Sequence, residues 1–211
     1  MTKIITIILV LTSTILAEYS SSISPITSEI KKRMIKDNSW RKGCPFSLND
    51  LRYLHVKYID FRGKEMMGEI IVYKELSAEV AEIFKDLYDV GYPIKKMRLV
   101  SDYKGNDWQS IESDNTSSFN CRPATGSKKW SKHSYGKAID INPIENPYIS
   151  RKGHISHKVS LTYRKRVHKE SSYTDKAVLL KNDKAVEIFK KHGWQWGGDW
   201  SGVKDYQHFS K

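Results

Sequence analysis

The chain has 211 residues, 39% hydrophobic and 28% charged, with no repeat or low-complexity tract. This balance suits one well-buried globular core. A formal net charge of +12 limits the partners: in an exported protein such an excess attracts carboxylate- and phosphate-rich envelope polymers, whereas in a cytosolic one it points to nucleic acid.

The first segment bears on that choice. Lys3 is followed by an apolar run that ends near Ala17 and passes into polar residues, the pattern of a secretory signal peptide over residues 1–17. The run is short for a bilayer span, which needs about 20 apolar residues. Ile15 is a poor small-residue match three positions before the expected cut, so an uncleaved anchor is the alternative. No cysteine follows for lipid attachment. Removal of the run takes away one positive charge, Lys3. Export makes envelope polymers, and not nucleic acid, the expected anionic partners.

A short helix is expected over about Ser28–Lys36. His55–Phe61 and Glu69–Tyr73 read as strands around a turn at Arg62-Gly63-Lys64. Ser77 reads as the cap of a stronger helix, with Val80, Ile83, Phe84 and Leu87 at i, i+3, i+4 and i+7 and a stop at Gly91 and Pro93. Strands are expected at Ile94–Val100, Ala138–Asn142 and Tyr206–Phe209, and a helix at Asp183–Lys191, capped by Asn182 and stopped at Gly193. Helices beside a largely antiparallel sheet make this a single α+β domain.

The chemistry concentrates in two places. Ser131–Asn142 reads S-K-H-S-Y-G-K-A-I-D-I-N, and Asp205–Phe209 reads D-Y-Q-H-F. His133, Asp140 and His208 form a candidate three-ligand zinc set, with the fourth position open as in catalytic sites. In an extended A-I-D-I-N segment Ile139 and Ile141 face the core and Asp140 the opposite side, while Gly136 lets the chain turn between the two ligands. The spacings alone favour a loop histidine and an ordinary strand-end carboxylate over a metal site. The pair His154 and His157 lacks a further ligand. Cys44 and Cys121 lack a C-x-x-C spacing, and whether they form a disulfide stays open.

The wider pattern is more specific. N-T-S-S-F-N-C-R at Asn115–Arg122, the S-x-H-x-x-G-x-A-x-D pattern on Ser131, His133, Gly136, Ala138 and Asp140, then G-W-Q-W-G-G-D-W and the acidic residue three before His208, together resemble the D-alanyl-D-alanine carboxypeptidase family of zinc peptidases. The resemblance runs from about Leu51 to Phe209. It implies an α+β fold of the zinc D-Ala-D-Ala peptidase, or hedgehog-like, type with a zinc site in a cleft on the sheet. The expected organisation is a signal peptide (1–17), an N-terminal segment (18–50) and a zinc peptidase domain (51–211). The resemblance also implies a monomer acting on peptidoglycan stem peptides, most simply as a D,D-carboxypeptidase. L-alanyl-D-glutamate endopeptidase action and a non-catalytic envelope-binding role are the alternatives.

Roles follow residue by residue. His133, Asp140 and His208 are the expected Zn²⁺ ligands, and Asp205 the expected general base. Many relatives carry Glu at that place, so the shorter Asp needs a closer backbone or instead orients a ligand. On a straight strand Asp205 and His208 would face opposite ways, so a bend before Tyr206 is required. Asp199 is the rival base. Arg122 is expected to stabilise an oxyanion or bind a substrate carboxylate, and Ser131 to hydrogen-bond substrate. Trp194, Trp196 and Trp200 are candidate groove walls, at least one of them core. The basic insertion between Tyr148 and Asp175 reads as a flap or as a solvated loop.

Overall fold

The computed structural model describes residues 18–169 and 172–211. The apolar run read as a signal peptide, residues 1–17, lies outside the described residues. Among the described residues no helix is long and apolar enough to cross a membrane.

A strand, β1 (Ser21–Pro25), precedes the helix α1 (Ser28–Lys36). Thr27 caps α1 by accepting from the Ile30 N–H at 3.3 Å, and Ile30 and Met34, one turn apart, form its buried stripe. Two long strands follow, β2 (Leu51–Ile59) and β3 (Glu65–Tyr73), paired antiparallel from Leu51↔Tyr73 to Ile59↔Glu65. β2 starts upstream of the expected His55 and stops at Ile59, because Asp60 closes the turn. Its carboxylate accepts from the Arg62 N–H at 2.8 Å and the Lys64 N–H at 2.9 Å. β1, with no clear sequence signal, pairs with the other edge of β2.

Helix α2 (Ser77–Asp89) buries Val80, Ile83, Phe84 and Leu87 against Leu54, Val56, Ile70 and Val72. Each such side chain contributes about 1.5–3 kcal/mol when fully buried. Ser77 is the first helical residue and not the cap: its hydroxyl donates to the Lys74 carbonyl at 2.7 Å. The opposite face of the β1-β2-β3 sheet packs Leu51 and Ile71 against Ile30 and Met34 of α1, with Leu99, Phe119 and Cys121.

Ile94–Val100 is not a strand. The backbone N–H groups of Lys95 and Arg98 donate to the side-chain carbonyls of Asn142 and Asn115 at 2.9 and 2.8 Å, which leaves only isolated bridges at Pro93 and Met97. After a short helix, α3 (Asp107–Glu112), come the strands β4 (Ala138–Asp140) and β5 (Tyr148–Ile149). β4 ends before the expected Asn142, whose φ is +43°. Next are the helices α4 (Tyr173–Lys176) and α5 (Lys184–Lys191) and the strands β6 (Gln195–Trp196), β7 (Lys204–Asp205) and β8 (His208–Ser210). The residue capping α5 is Asp183 and not Asn182: Asp183 has the extended backbone of a cap, while its carboxylate accepts from the Leu180 N–H at 2.7 Å.

Among the described residues the named strands all pair antiparallel, in sheets ordered β1-β2-β3, β4-β8-β6 and β5-β7. One core joins the first two sheets: Ile139, Phe209, Trp196 and the α5 residues Val186 and Phe189 belong to the same buried cluster as α2 and the first sheet. The fold is therefore α+β, with helices packed on antiparallel sheets. Cys44 and Cys121, 77 residues apart in sequence, are joined by a disulfide with Cα atoms 5.8 Å apart.

Candidate metal centre and acid–base site

Asp140 stands directly opposite His208 in the β4–β8 ladder. Directly opposed residues of an antiparallel pair project to the same face, so the register alone brings these side chains together. His133 comes from a 3-10 turn, Lys132–Tyr135, that ends at Gly136 with φ +61°. A Cβ at Gly136 would run into the backbone of Val72 and Tyr73, and the Gly136 carbonyl accepts from the Tyr73 N–H at 2.9 Å. Glycine thus lets the ligand turn dock on the end of β3.

The three side chains converge in a buried site. His208 Nδ1 lies 3.0 Å from Asp140 Oδ1, His133 Nε2 lies 3.2 Å from Asp140 Oδ2, and the two imidazole nitrogens are 3.3 Å apart. Their ligand atoms all lie within 4.8 Å of one another, a set that can hold a metal ion. His133 Nδ1 is 2.7 Å from the Ser118 carbonyl. That contact assigns the proton to Nδ1 and leaves the Nε2 lone pair facing Asp140 and His208. Ser118 is held there because its neighbour Ser117 exchanges backbone hydrogen bonds with Asp140 at 3.0 and 2.8 Å.

Electrostatics agree with a cation site. Burial alone would raise the Asp140 carboxyl, but His133 and His208 outweigh it and hold the group well below the usual carboxylate range. Burial opposes charge on His208, yet the Asp140 hydrogen bond raises its pKa.

Asp205 lies beside this set. It ends β7, where it pairs with Tyr148 of β5, and the chain then turns at Tyr206–Gln207 before β8 begins at His208. The required bend is therefore present, placed at Tyr206–Gln207 and not before Tyr206. β8 accordingly starts later than the expected Tyr206. A Cβ at Gly197 would overlap the Asp205 carbonyl, so glycine there permits close approach to the acidic residue. Burial pushes the Asp205 carboxyl up to about 6, helped by the Asp140 charge, and its Oδ1 is buried without a hydrogen-bond partner.

The remaining candidates separate cleanly. Arg122 donates from Nη1 to the Pro123 carbonyl at 3.2 Å and pairs through Nη2 with Asp107 at 2.9 Å; its Nε is buried and unpartnered. Its charge acts against protonation of His208, which places it within electrostatic reach of the centre. The Ser131 hydroxyl accepts from the His133 N–H at 3.3 Å, capping the ligand turn. Trp200 packs its ring against His208 with centroids 5.4 Å apart. Trp194 and Trp196 are core and not groove walls: they are buried, and their indole N–H groups bond Glu79 and the Tyr206 carbonyl. Asp199 pairs with Lys190 at 2.6 Å on the surface. His157 bonds Glu112 at 2.5 Å and stacks on Trp108, so His154 and His157 form no second metal set among the described residues.

Residues 125–211 match a family model described as D-alanyl-D-alanine carboxypeptidase. This part of the chain is similar to that family. The matched segment holds His133, Asp140, Asp205 and His208, whereas Arg122 and the Ser118 carbonyl precede it. No curated protein and no solved structure matches the chain. Sequence reasoning missed Ser118, Gly197 and Tyr148. Ser118 acts through its carbonyl and Gly197 through an absent Cβ, so neither side chain carries a signal, and Tyr148 is placed by strand pairing alone.

Proposed function

We propose that the protein is an exported zinc peptidase that removes the terminal D-alanine from peptidoglycan stem peptides, a D,D-carboxypeptidase. The observation that carries this reading is the Asp205 carboxylate beside the converged His133, Asp140 and His208, inside the segment that matches the carboxypeptidase family. Two imidazoles and one carboxylate suit zinc and leave a coordination position open. When bound, the ion supplies Lewis-acid activation of the scissile carbonyl and of the attacking water.

The chain's own residues do the rest. Asp205 takes a proton from the attacking water and returns it to the leaving amine; burial, which raises its pKa towards neutrality, suits it to both tasks. The Ser118 carbonyl and the Asp140 carboxylate fix the His133 ring. Arg122, steadied by Asp107, binds the terminal carboxylate that distinguishes a carboxypeptidase substrate from an internal peptide. Trp200, over His208, walls the cleft. The apolar run at residues 1–17 and the basic surface support action in the periplasm or outside the cell, near anionic envelope polymers.

The test is product analysis by mass spectrometry after incubating the zinc-loaded protein with pentapeptide muropeptides. Loss of one terminal D-alanine is expected. Internal cleavage would replace this reading with an endopeptidase, and no cleavage with a non-catalytic envelope-binding role.

A further inference from the structure

The basic insertion between Tyr148 and Asp175 has no part in the chemistry described so far. Arg151, Lys152, Lys158, Arg164 and Lys165 are exposed, as expected of a solvated loop. Arg166 is different. Its Nη2 donates to the Asn146 side-chain carbonyl at 2.7 Å and the Leu179 carbonyl at 3.0 Å; its Nη1 donates to the Glu145 carbonyl and, at 3.3 Å, to that of Tyr163. Its Nε is buried and unpartnered. Among the described residues Arg166 makes no ion pair. Burial and then the Asp114 charge push the nearby Glu145 carboxyl up to about 9. The guanidinium instead lies 4.4 Å above the Tyr206 ring.

Tyr206 is the first residue of the turn that lets Asp205 and His208, three positions apart, serve one site. Its ring packs on the Trp196 ring at 5.8 Å, its carbonyl accepts from the Trp196 indole N–H at 2.8 Å, and its N–H reaches the Pro147 carbonyl at 3.4 Å. Trp196 belongs to the core. Arg166 holds the same ring from the insertion. A cation over an aromatic face is attracted by the ring quadrupole, which biases the conformation of a two-residue turn.

We propose that Arg166 is a positioning residue for Asp205: through the Tyr206 ring it fixes the turn that aims the acidic side chain at the metal centre, and the basic insertion is a brace and not a lid. The inference rests on the reading of Asp205 as the base.

The experiment compares Arg166→Met, Tyr206→Leu, their combination and the exposed neighbour Lys165→Met, all zinc-loaded, on a peptide ending in D-Ala-D-Ala. A misplacement of about 1 Å costs up to roughly 100-fold in rate. Arg166→Met is therefore expected to lower kcat 10- to 100-fold with KM within about threefold of the parent and zinc still at one per chain. Lys165→Met changes nothing. Because both residues act through one turn, the combined variant should be no slower than the slower single variant. If Arg166→Met does not fold, Tyr206→Leu carries the same expectation. Unchanged kcat, losses that multiply in the combined variant, or loss of zinc in step with kcat would each overturn the proposal. Asp205→Asn keeps the two readings apart: full turnover in that variant removes the base assignment, whereas a dead Asp205→Asn beside a fully active Arg166→Met removes only the brace.

Discussion

Asp140 and His208, 68 residues apart in sequence, are direct partners in the β4–β8 ladder, with Oδ1 and Nδ1 3.0 Å apart. A backbone register, and not a local motif, thus brings together two of the three residues of the metal centre. Replacing His133, Asp140 or His208 by Ala is expected to lower zinc from about one per chain to a small fraction, with loss of activity, because a three-ligand site cannot spare a ligand. Elemental analysis of the dialysed proteins checks this; full occupancy in all three variants would remove the ligand assignment.

Asp205→Asn preserves volume but cannot accept the proton. With zinc retained and the fold intact, kcat is expected to fall by roughly 10²–10⁴, the usual contribution of a positioned acid–base group. Near-normal turnover would transfer attention to another carboxylate. Loss of zinc would show that Asp205 orients the ligands.

The same carboxyl sets an acid limit. Its pKa, raised by burial and the Asp140 charge to about 6, moves down when a cation binds nearby. The base form is lost as pH falls through the pKa, so kcat/KM is expected to drop tenfold per pH unit on the acid side of a limb lying at or below about pH 6. A pH–rate profile shows this; an acid limb centred above pH 7 would contradict it.

Glu69 governs acid stability away from the site. Burial would raise its pKa, but the paired Arg33 bonds at 2.6 and 2.8 Å and the Tyr53 hydroxyl at 2.6 Å lower it from 4.5 to about 2. A carboxylate depressed in the folded state stabilises the protein above its unfolded pKa, and that contribution is lost as pH falls from about 4.5 towards 2. Glu69→Gln is expected to be less stable at pH 7 and to lose less between pH 5 and 3, as read from urea unfolding at each pH. Parallel curves for the two proteins would count against it.

The Cys44–Cys121 bridge closes a 77-residue separation. The chain-entropy model assigns such a loop about 4 kcal/mol, or roughly 10 °C in Tm for a chain of this size. Thermal unfolding of Cys44→Ala against the parent tests it; equal Tm values would show that the crosslink adds nothing.

Where a pattern is local, the sequence is informative. The i, i+3, i+4, i+7 spacing of Val80, Ile83, Phe84 and Leu87 describes the buried face of α2, because helix periodicity is a property of one segment. The hairpin of β2 and β3 is legible for the same reason. Ile94–Val100 misled because four of its seven residues are strand-compatible apolar ones, while the N–H groups of Lys95 and Arg98 are taken by the side chains of Asn142 and Asn115 from elsewhere in the chain. The identities of His133, Asp140, His208 and Asp205 were visible as motifs, since imidazoles and carboxylates in a family pattern name their chemistry.

Which residues meet was decided elsewhere. The sequence by itself determined an α+β chain, its main helices and the metal-binding residue types, all of which follow from local periodicity and side-chain chemistry. Only the tertiary structure decided that Asp140 faces His208, that Ser118 orients His133 through a carbonyl, that Trp194 and Trp196 are core while Trp200 reaches the site, and that Arg166 lies half-buried over Tyr206. These depend on strand register, backbone groups and contacts between distant segments, and no single stretch of sequence encodes a distance between two others.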